Sequence, residues 1–233
     1  NATAFHGEQG ADAYARLLLR FDRLIVHGEE TRAALRAQGI ADDCIATIPH
    51  PPMRLTAADA HTLNDLPNPK LPRLLFFGTI RPYKGFDILI AACLDLWRRG
   101  ARFELAVAGK PFMNIDALIE MVRAAGFGDR LILNLDFLRE EQLDAHLQKA
   151  DMVVFPYRQI DSSGAFLSAL HYGKPMICTR VGMFESLMQS PDGAPPVALC
   201  EPENVAGLAD AILPLVGDQE RRRVMGARAS ELG

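Results

Sequence analysis

From Arg73 onward, short continuous apolar runs alternate with stretches of helical periodicity, and this alternation limits the fold more than any single residue does. Leu74-Leu75-Phe76-Phe77 is apolar at every position, as a strand is when its sheet is covered on both faces. Phe86–Arg99 follows with Ile88, Leu89, Ala92, Leu96 and Trp97 at helical spacing, and Gly100 stops it. The cycle repeats. Strands are predicted over 103–108, 131–133, 152–155 and 175–179, with a weak one near 197–199. Helices are predicted over 115–125, 140–149 and 164–172, then a short one from Met183 and two more to the end. Strands that alternate with helices pair in parallel through right-handed crossovers, so the predicted fold class is α/β with a parallel sheet.

The first fifty residues show the same grammar in a shorter form. A helix is predicted over 10–20, a strand at Leu24-Ile25-Val26, a helix over 31–38 and a strand over 44–48. That is too little for an independent doubly wound domain, so residues 1–52 read as the remnant of another one. Prolines gather between Pro49 and Pro72, which predicts an irregular linker over 53–72 and a main domain over 73–233. The start at Asn1 and the stop just past a helical pattern predict a piece of a longer protein.

A net charge of -4 gives no general attraction to nucleic acid or to an anionic membrane. Cys44, Cys93, Cys178 and Cys200 stand far apart without a CxxC pair, which predicts neither a disulfide framework nor a zinc site and fits a reducing, cytoplasmic setting. The histidines show no metal-ligand spacing, so no metal is expected. No apolar run reaches the roughly 18 residues that span a bilayer, and no signal peptide is visible.

Ligands of parallel α/β sheets bind beyond the carboxyl ends of the strands. Four loops stand there: Gly78–Gly85, Gly109–Pro111, Asp136–Arg139 and Tyr157–Gly164. The first puts Arg81 and Lys84 close together between two glycines. Arginine grips two phosphate oxygens at once and lysine acts as a point charge. The last loop holds Asp161-Ser162-Ser163-Gly164 at a helix start, where any of the first three serves as N-cap and free N–H groups suit an anion. Taken alone, that turn is equally an ordinary capped helix, and Arg81 and Lys84 are equally two solvated charges. Together they predict a diphosphate site. GxGxxG, P-loop, HExxH and GxSxG patterns are all missing.

Three collinear stretches resemble the carboxyl-terminal half of the retaining glycosyltransferases with the GT-B fold, the large group often called group one or family four. They are RLLFFGTIRPYKGFDILIAA, DFLREEQLDAHLQKADMVVFPY and SALHYGKPMICTRVGMFESL. The resemblance covers about residues 20 to 215. It implies a Rossmann-like doubly wound parallel sheet, the C-terminal half of a GT-B fold, with a small α/β remnant of the N-terminal domain. It implies that Arg81 and Lys84 act catalytically on the donor diphosphate. It implies that Asp161, Ser162, Ser163 and Gly164 hold the sugar and phosphates, and that Gly78, Gly109, Lys110, Phe137, Leu138 and Ser168 surround the nucleotide. The chain departs from the family in places. Ser168 aligns with the second glutamate of the usual Glu-x7-Glu, only Asp161 is left to stand for the first, Met183 replaces a glycine, and Arg81 sits three residues after Gly78 rather than beside it. It is similar to the subset with a (Q/S)-S-G turn.

The implied function is transfer of a sugar from a UDP- or GDP-linked donor to an acceptor, a lipid-linked sugar or polysaccharide precursor, without a cofactor or metal. The implied partners are the nucleotide sugar and an acceptor glycan held through a further domain, with no nucleic acid. The implied place is the cytoplasm, at the inner face of the membrane for the full-length protein. Two alternatives stand beside it: a catalytically inactive nucleotide-sugar-binding domain, and a nucleotide-sugar epimerase on the same fold.

Overall fold

The computed structural model describes residues 16–48, 51, 54–160, 162–186 and 196–232. Near its start, β1 (Leu24–Val26) pairs in parallel with β2 (Ile45–Thr47) across α1 (Glu29–Ala37). Val26, Leu35, Ile40 and Ile45 form a small core of their own. Pro49, His50 and Asp161 lie outside the described residues.

The segment expected to be an irregular linker contains α2 (Ala60–Asp65), capped by the Asp59 carboxylate, which accepts from the Thr62 N–H at 2.8 Å. Prolines at both flanks dominate the composition and conceal one helical turn and a half between them. The segment is also strapped to a later helix, α5 (Glu140–Lys149). Thr56 donates from its N–H and its hydroxyl to Glu140, at 3.0 and 2.7 Å, and the Ala58 N–H donates to Asp144 at 2.9 Å.

The main sheet has six parallel strands: β3 (Arg73–Phe77), β4 (Glu104–Ala108), β5 (Leu131–Asn134), β6 (Met152–Phe155), β7 (Met176–Thr179) and β8 (Val197–Cys200). Their order is β5-β4-β3-β6-β7-β8. The chain builds outward in one direction from β3 and in the other from β6, which places a topological switch point between those two strands. Side chains alternate along each strand, so each strand feeds two cores. Leu74 and Phe76 of β3 pack with α3 (Phe86–Arg98), α4 (Asp116–Ala124) and α8 (Val205–Gly217). Leu75 and Phe77 pack on the other face, with α5, α6 (Gly164–Leu170), α7 (Met183–Ser186) and α9 (Gln219–Ser230). Burial on both faces explains why β3, β4, β6 and β7 read as unbroken apolar runs. Cys93, Cys178 and Cys200 are buried as small apolar residues.

Polar groups occur at the amino end of the sheet, away from the switch point. Arg73 and Glu104 face each other across β3 and β4 and pair at 2.8 Å, with the Arg73 guanidinium also donating to the Pro67 carbonyl at 2.9 Å. His146 on α5 is fully buried, and neither ring nitrogen has a hydrogen-bond partner among the described residues. It borders a polar cavity of about 90 Å³ with Asn134 and Gln142. Burial, and then the nearby Arg73 charge, push its pKa down to about 4. The folded chain therefore takes this proton later than the unfolded chain, whose histidine titrates near the ordinary value of about 6.5. Stability from neutral His146 is fully present above the unfolded value and is lost as pH falls toward 4. The loss is on the order of 3 kcal/mol. Urea unfolding followed from pH 7 to pH 4 is expected to show that decline in the wild type, and a flatter profile over the same window in His146→Gln.

Candidate functional site

Every loop expected at the carboxyl edge is there, and backbone contacts draw three of them together. Gly109 turns with φ +145°, and a Cβ on it would lie 2.3 Å from the Gly78 carbonyl oxygen. Gly85 turns with φ +66°, and a Cβ on it would lie 1.9 Å from the Pro156 oxygen. Only glycine permits both approaches. A short ladder extends the first contact: the Ile80 N–H donates to the Lys110 carbonyl and the Phe112 N–H to the Ile80 carbonyl, at 2.9 and 2.8 Å.

Arg81 and Lys84 leave one turn in different directions. Lys84 is 6% exposed. Its ammonium lies beneath Gly78, where a Cβ would stand 2.8 Å from Nζ, and 5.4 Å from the centre of the Tyr157 ring. No carboxylate pairs with it among the described residues. Burial, with a smaller contribution from the Arg81 charge, pushes its pKa down to about 8. Arg81 turns outward, and its guanidinium stacks over Phe112 at 4.3 Å. Phe112 in turn meets Phe137 edge-on at 6.0 Å, and Lys110 covers the far ring at 4.6 Å. Phe112 and Phe137 are 47% and 66% exposed, so this row of two cations and two rings is open to solvent. Leu138, the neighbour of Phe137, packs against the core on the α5 and α6 face instead.

The turn after β6 resolves the choice among the three candidate caps. Ser163 is the N-cap of α6, and its hydroxyl accepts from the Phe166 N–H at 3.2 Å. The Ser163 N–H is itself taken by the Met183 sulfur at 3.1 Å. Gly164 begins the helix, and Ser168, one turn on, donates its hydroxyl back to the Gly164 carbonyl at 2.9 Å. Ser162 precedes the cap as a half-buried residue, and Asp161 lies outside the described residues. Tyr157 links this turn to the lysine. Its ring faces Lys84, and its buried hydroxyl, raised in pKa chiefly by desolvation, lies near Ser163 without completing a hydrogen bond.

A cleft of about 740 Å³ opens beside this cradle, lined by Arg81, Tyr83, Met113, Asn114, Leu118 and Gln159, with Asp87 and Arg158 also at its wall. Of the expected site residues that are described, Arg81 alone borders it. Tyr157, Phe112 and Arg158 were given no role from sequence, and Met183 was noted only as the replacement of a glycine. Tyr157 directly follows Pro156, the residue after β6, and opens a loop that the sequence did mark. The others matter through contacts with residues distant in the chain.

A family model described as glycosyl transferases group 1 matches residues 71–218. The D-inositol 3-phosphate glycosyltransferase of Nocardia farcinica is 29% identical over 228 residues, covering 92% of this chain and 49% of that protein. The GDP-mannose:glycolipid 4-beta-D-mannosyltransferase of Xanthomonas campestris pv. campestris is 33% identical over 106 residues, 45% of this chain and 29% of that protein. The chain thus spans about half the length, or less, of these relatives. Among solved structures, HepE of Anabaena in complex with UDP-glucose superposes with a TM-score of 0.78 at 16% identity, covering 97% of this chain and 63% of that one. Sucrose-phosphate synthase from Thermosynechococcus elongatus gives 0.75 at 21% identity, covering 97% and 58%. The fold of this chain is that of the C-terminal part of such GT-B structures.

The Gly85 contact is open to direct test. Gly85→Ala combines a left-handed backbone with a clash against the Pro156 carbonyl. Thermal or urea unfolding is expected to show a loss of roughly 2 kcal/mol or more.

Proposed function

Because the chain belongs to the group 1 glycosyl transferases, we propose that it is the donor-binding part of an enzyme that transfers a sugar from a nucleoside diphosphate sugar. The observation that carries this reading is Lys84, a buried ammonium beneath a glycine backbone, with no carboxylate beside it among the described residues. Burying a charge without a partner is costly, and an anionic ligand removes that cost. The leaving diphosphate is the anion that fits. Lys84 meets it from inside the cradle, Arg81 from the solvent side, and the N–H groups of Gly164 and Ala165 remain unclaimed by the protein among the described residues. The row Phe112, Phe137 and Lys110 stands beyond β4 and β5, where the base of the nucleotide is expected to lie.

Catalysis on this reading is positioning and neutralisation of the leaving group. The bond from the anomeric carbon to the diphosphate oxygen breaks, the acceptor hydroxyl oxygen bonds that carbon with retention and gives its proton to the leaving diphosphate, and no protein nucleophile is used. The donor is UDP- or GDP-linked. UDP-glucose in the Anabaena structure and GDP-mannose in the name of the Xanthomonas relative support both bases. The acceptor is a lipid-linked sugar or polysaccharide precursor, for which the glycolipid in the same name is the support. A peripheral association of the full-length protein with a membrane belongs to the same proposal; among the described residues no helix is long and apolar enough to cross one.

A second reading, nucleotide-sugar binding without transfer, draws on Ser168, which stands where the family carries a glutamate and gives its hydroxyl back to Gly164. Transfer by the full-length protein separates the two.

Calorimetric titration with UDP, GDP and ADP is the test. One of the first two is expected to bind, and Lys84→Ala to weaken it by roughly 10- to 100-fold, the range of a hydrogen bond to a charged group. Unchanged binding in that variant would sink the assignment. The pH dependence has a definite sign. Lys84 is charged below its pKa of about 8, so affinity is expected to hold at pH 7 and decline through pH 9. Lys84→Met is expected to show no such decline.

A further inference from the structure

Arg158 was not among the residues that the diphosphate reading needed, yet it ties together more of the carboxyl edge than any of them. Its guanidinium forks onto Asp87 at the start of α3, with Nη1 donating to Oδ1 at 2.9 Å and Nη2 to Oδ2 at 2.7 Å. Nη1 also donates to the Pro82 carbonyl at 2.7 Å, and Nε donates to the Glu203 carboxylate at 2.9 Å. Its backbone N–H donates to the Tyr83 carbonyl at 2.7 Å. One side chain thus joins the turn after β3, the loop after β6 and the turn after β8. The first of these carries Arg81 and Lys84, and the second leads to Ser163.

Two observations separate this cluster from an ordinary surface ion pair and from a phosphate site. Glu203 has φ +57°, and it is the one non-glycine residue at positive φ among the described residues. Such a conformation persists only where its surroundings hold it. Here the carboxylate that it aims meets Arg158. The charges also decide against a third phosphate cation, since one guanidinium faces two carboxylates. Arg158 has no charge to spare for an anion. All three side chains are partly exposed, at 27%, 41% and 67%, so the pairing contributes little to stability for so elaborate an arrangement. A bidentate fork contributes geometric specificity beyond its energy.

We propose that Arg158 is a positioning residue: with Asp87 and Glu203 it fixes the turn bearing Arg81 and Lys84 at the distance from the Ser163 turn that a diphosphate requires. The proposal rests on the donor-site reading above, but one of its consequences does not. If Arg158 holds the turn, Lys84 stays buried beneath Gly78 only while the clamp is closed.

The experiment uses Arg158→Lys, which keeps the charge and loses the fork, together with Asp87→Asn and the double variant. Two quantities are read on each: affinity for UDP and GDP by calorimetry, with uridine and guanosine as phosphate-free probes, and the titration of the Lys84 ammonium by NMR. Each single variant is expected to weaken diphosphate binding about tenfold, as a displaced binding group does, and to leave nucleoside binding unchanged. The double variant is expected to be no weaker than either single one, because both open the same clamp. The Lys84 titration is expected to move up from about 8 toward the ordinary lysine value as the amine regains solvent. Wild-type diphosphate affinity and an unmoved Lys84 titration in Arg158→Lys, with only the melting temperature lowered, would overturn the proposal. If the wild type binds no nucleotide, the donor reading fails, and the Lys84 titration alone still decides whether Arg158 holds the turn.

Discussion

An ammonium buried with no carboxylate beside it among the described residues is the constraint on which the carboxyl edge of this sheet depends. Desolvation works against the charge of Lys84, and nothing in the described chain offsets it by pairing. The space that Nζ occupies exists because Gly78 has no Cβ, and the chain reaches that point because Gly85 takes a left-handed turn against Pro156. Gly85 is also the N-cap position of α3, whose Leu89, Cys93 and Leu96 are fully buried in the core above β3. The turn therefore cannot relax outward without drawing the helix from its core. Packing several residues away keeps a charge where water does not reach it well, and that is the state in which an arriving anion gains most.

Most of the fold was legible from the sequence because burial on both sides writes itself as an unbroken apolar run. β3, β4, β6 and β7 lie within a residue of where those runs predicted them. α5 runs from Glu140 to Lys149 as expected, with Leu147 turned inward. α2 was missed, because a six-residue helix between prolines has neither length nor periodicity enough to outweigh its flanks. Its stability comes from Asp59 at its own start and from the bonds that the preceding residues make to Glu140 and Asp144, more than eighty residues on.

The site was legible to a different degree. Glycines, cations and a serine-rich helix start are local signals, and each drew attention to its own loop. How those loops meet is not local. Arg158 finds Asp87 across 71 positions and Glu203 across 45, and Met183 finds Ser163 across 20. Nothing in a window around Arg158 separates it from a solvated arginine. The same limit applies to direction. Sequence put Arg81 and Lys84 three residues apart in one turn, and only the structure shows one facing the interior and the other stacked on Phe112.

That divergence sorts the cations of the edge into two kinds, and the sorting says more about ligands than the net charge does. Arg158 is spent on Asp87 and Glu203, and Arg180 on Glu201. Arg81, Lys84 and Lys110 meet no carboxylate among the described residues, and each instead lies against an aromatic ring. A ring face stabilises a cation without neutralising it. The three unspent charges therefore keep their field, and two of them project it toward solvent from the open row of Phe112 and Phe137. A chain with a net charge of -4 thus carries three cations at one edge that no described carboxylate pairs, and such local charge bears more on which ligand is drawn in than the net charge does. The spent arginines serve the same end indirectly. On the readings proposed above, pairing fixes the loops from which the unspent ones act, so that structural and binding charges occupy one small region without competing for the same anion.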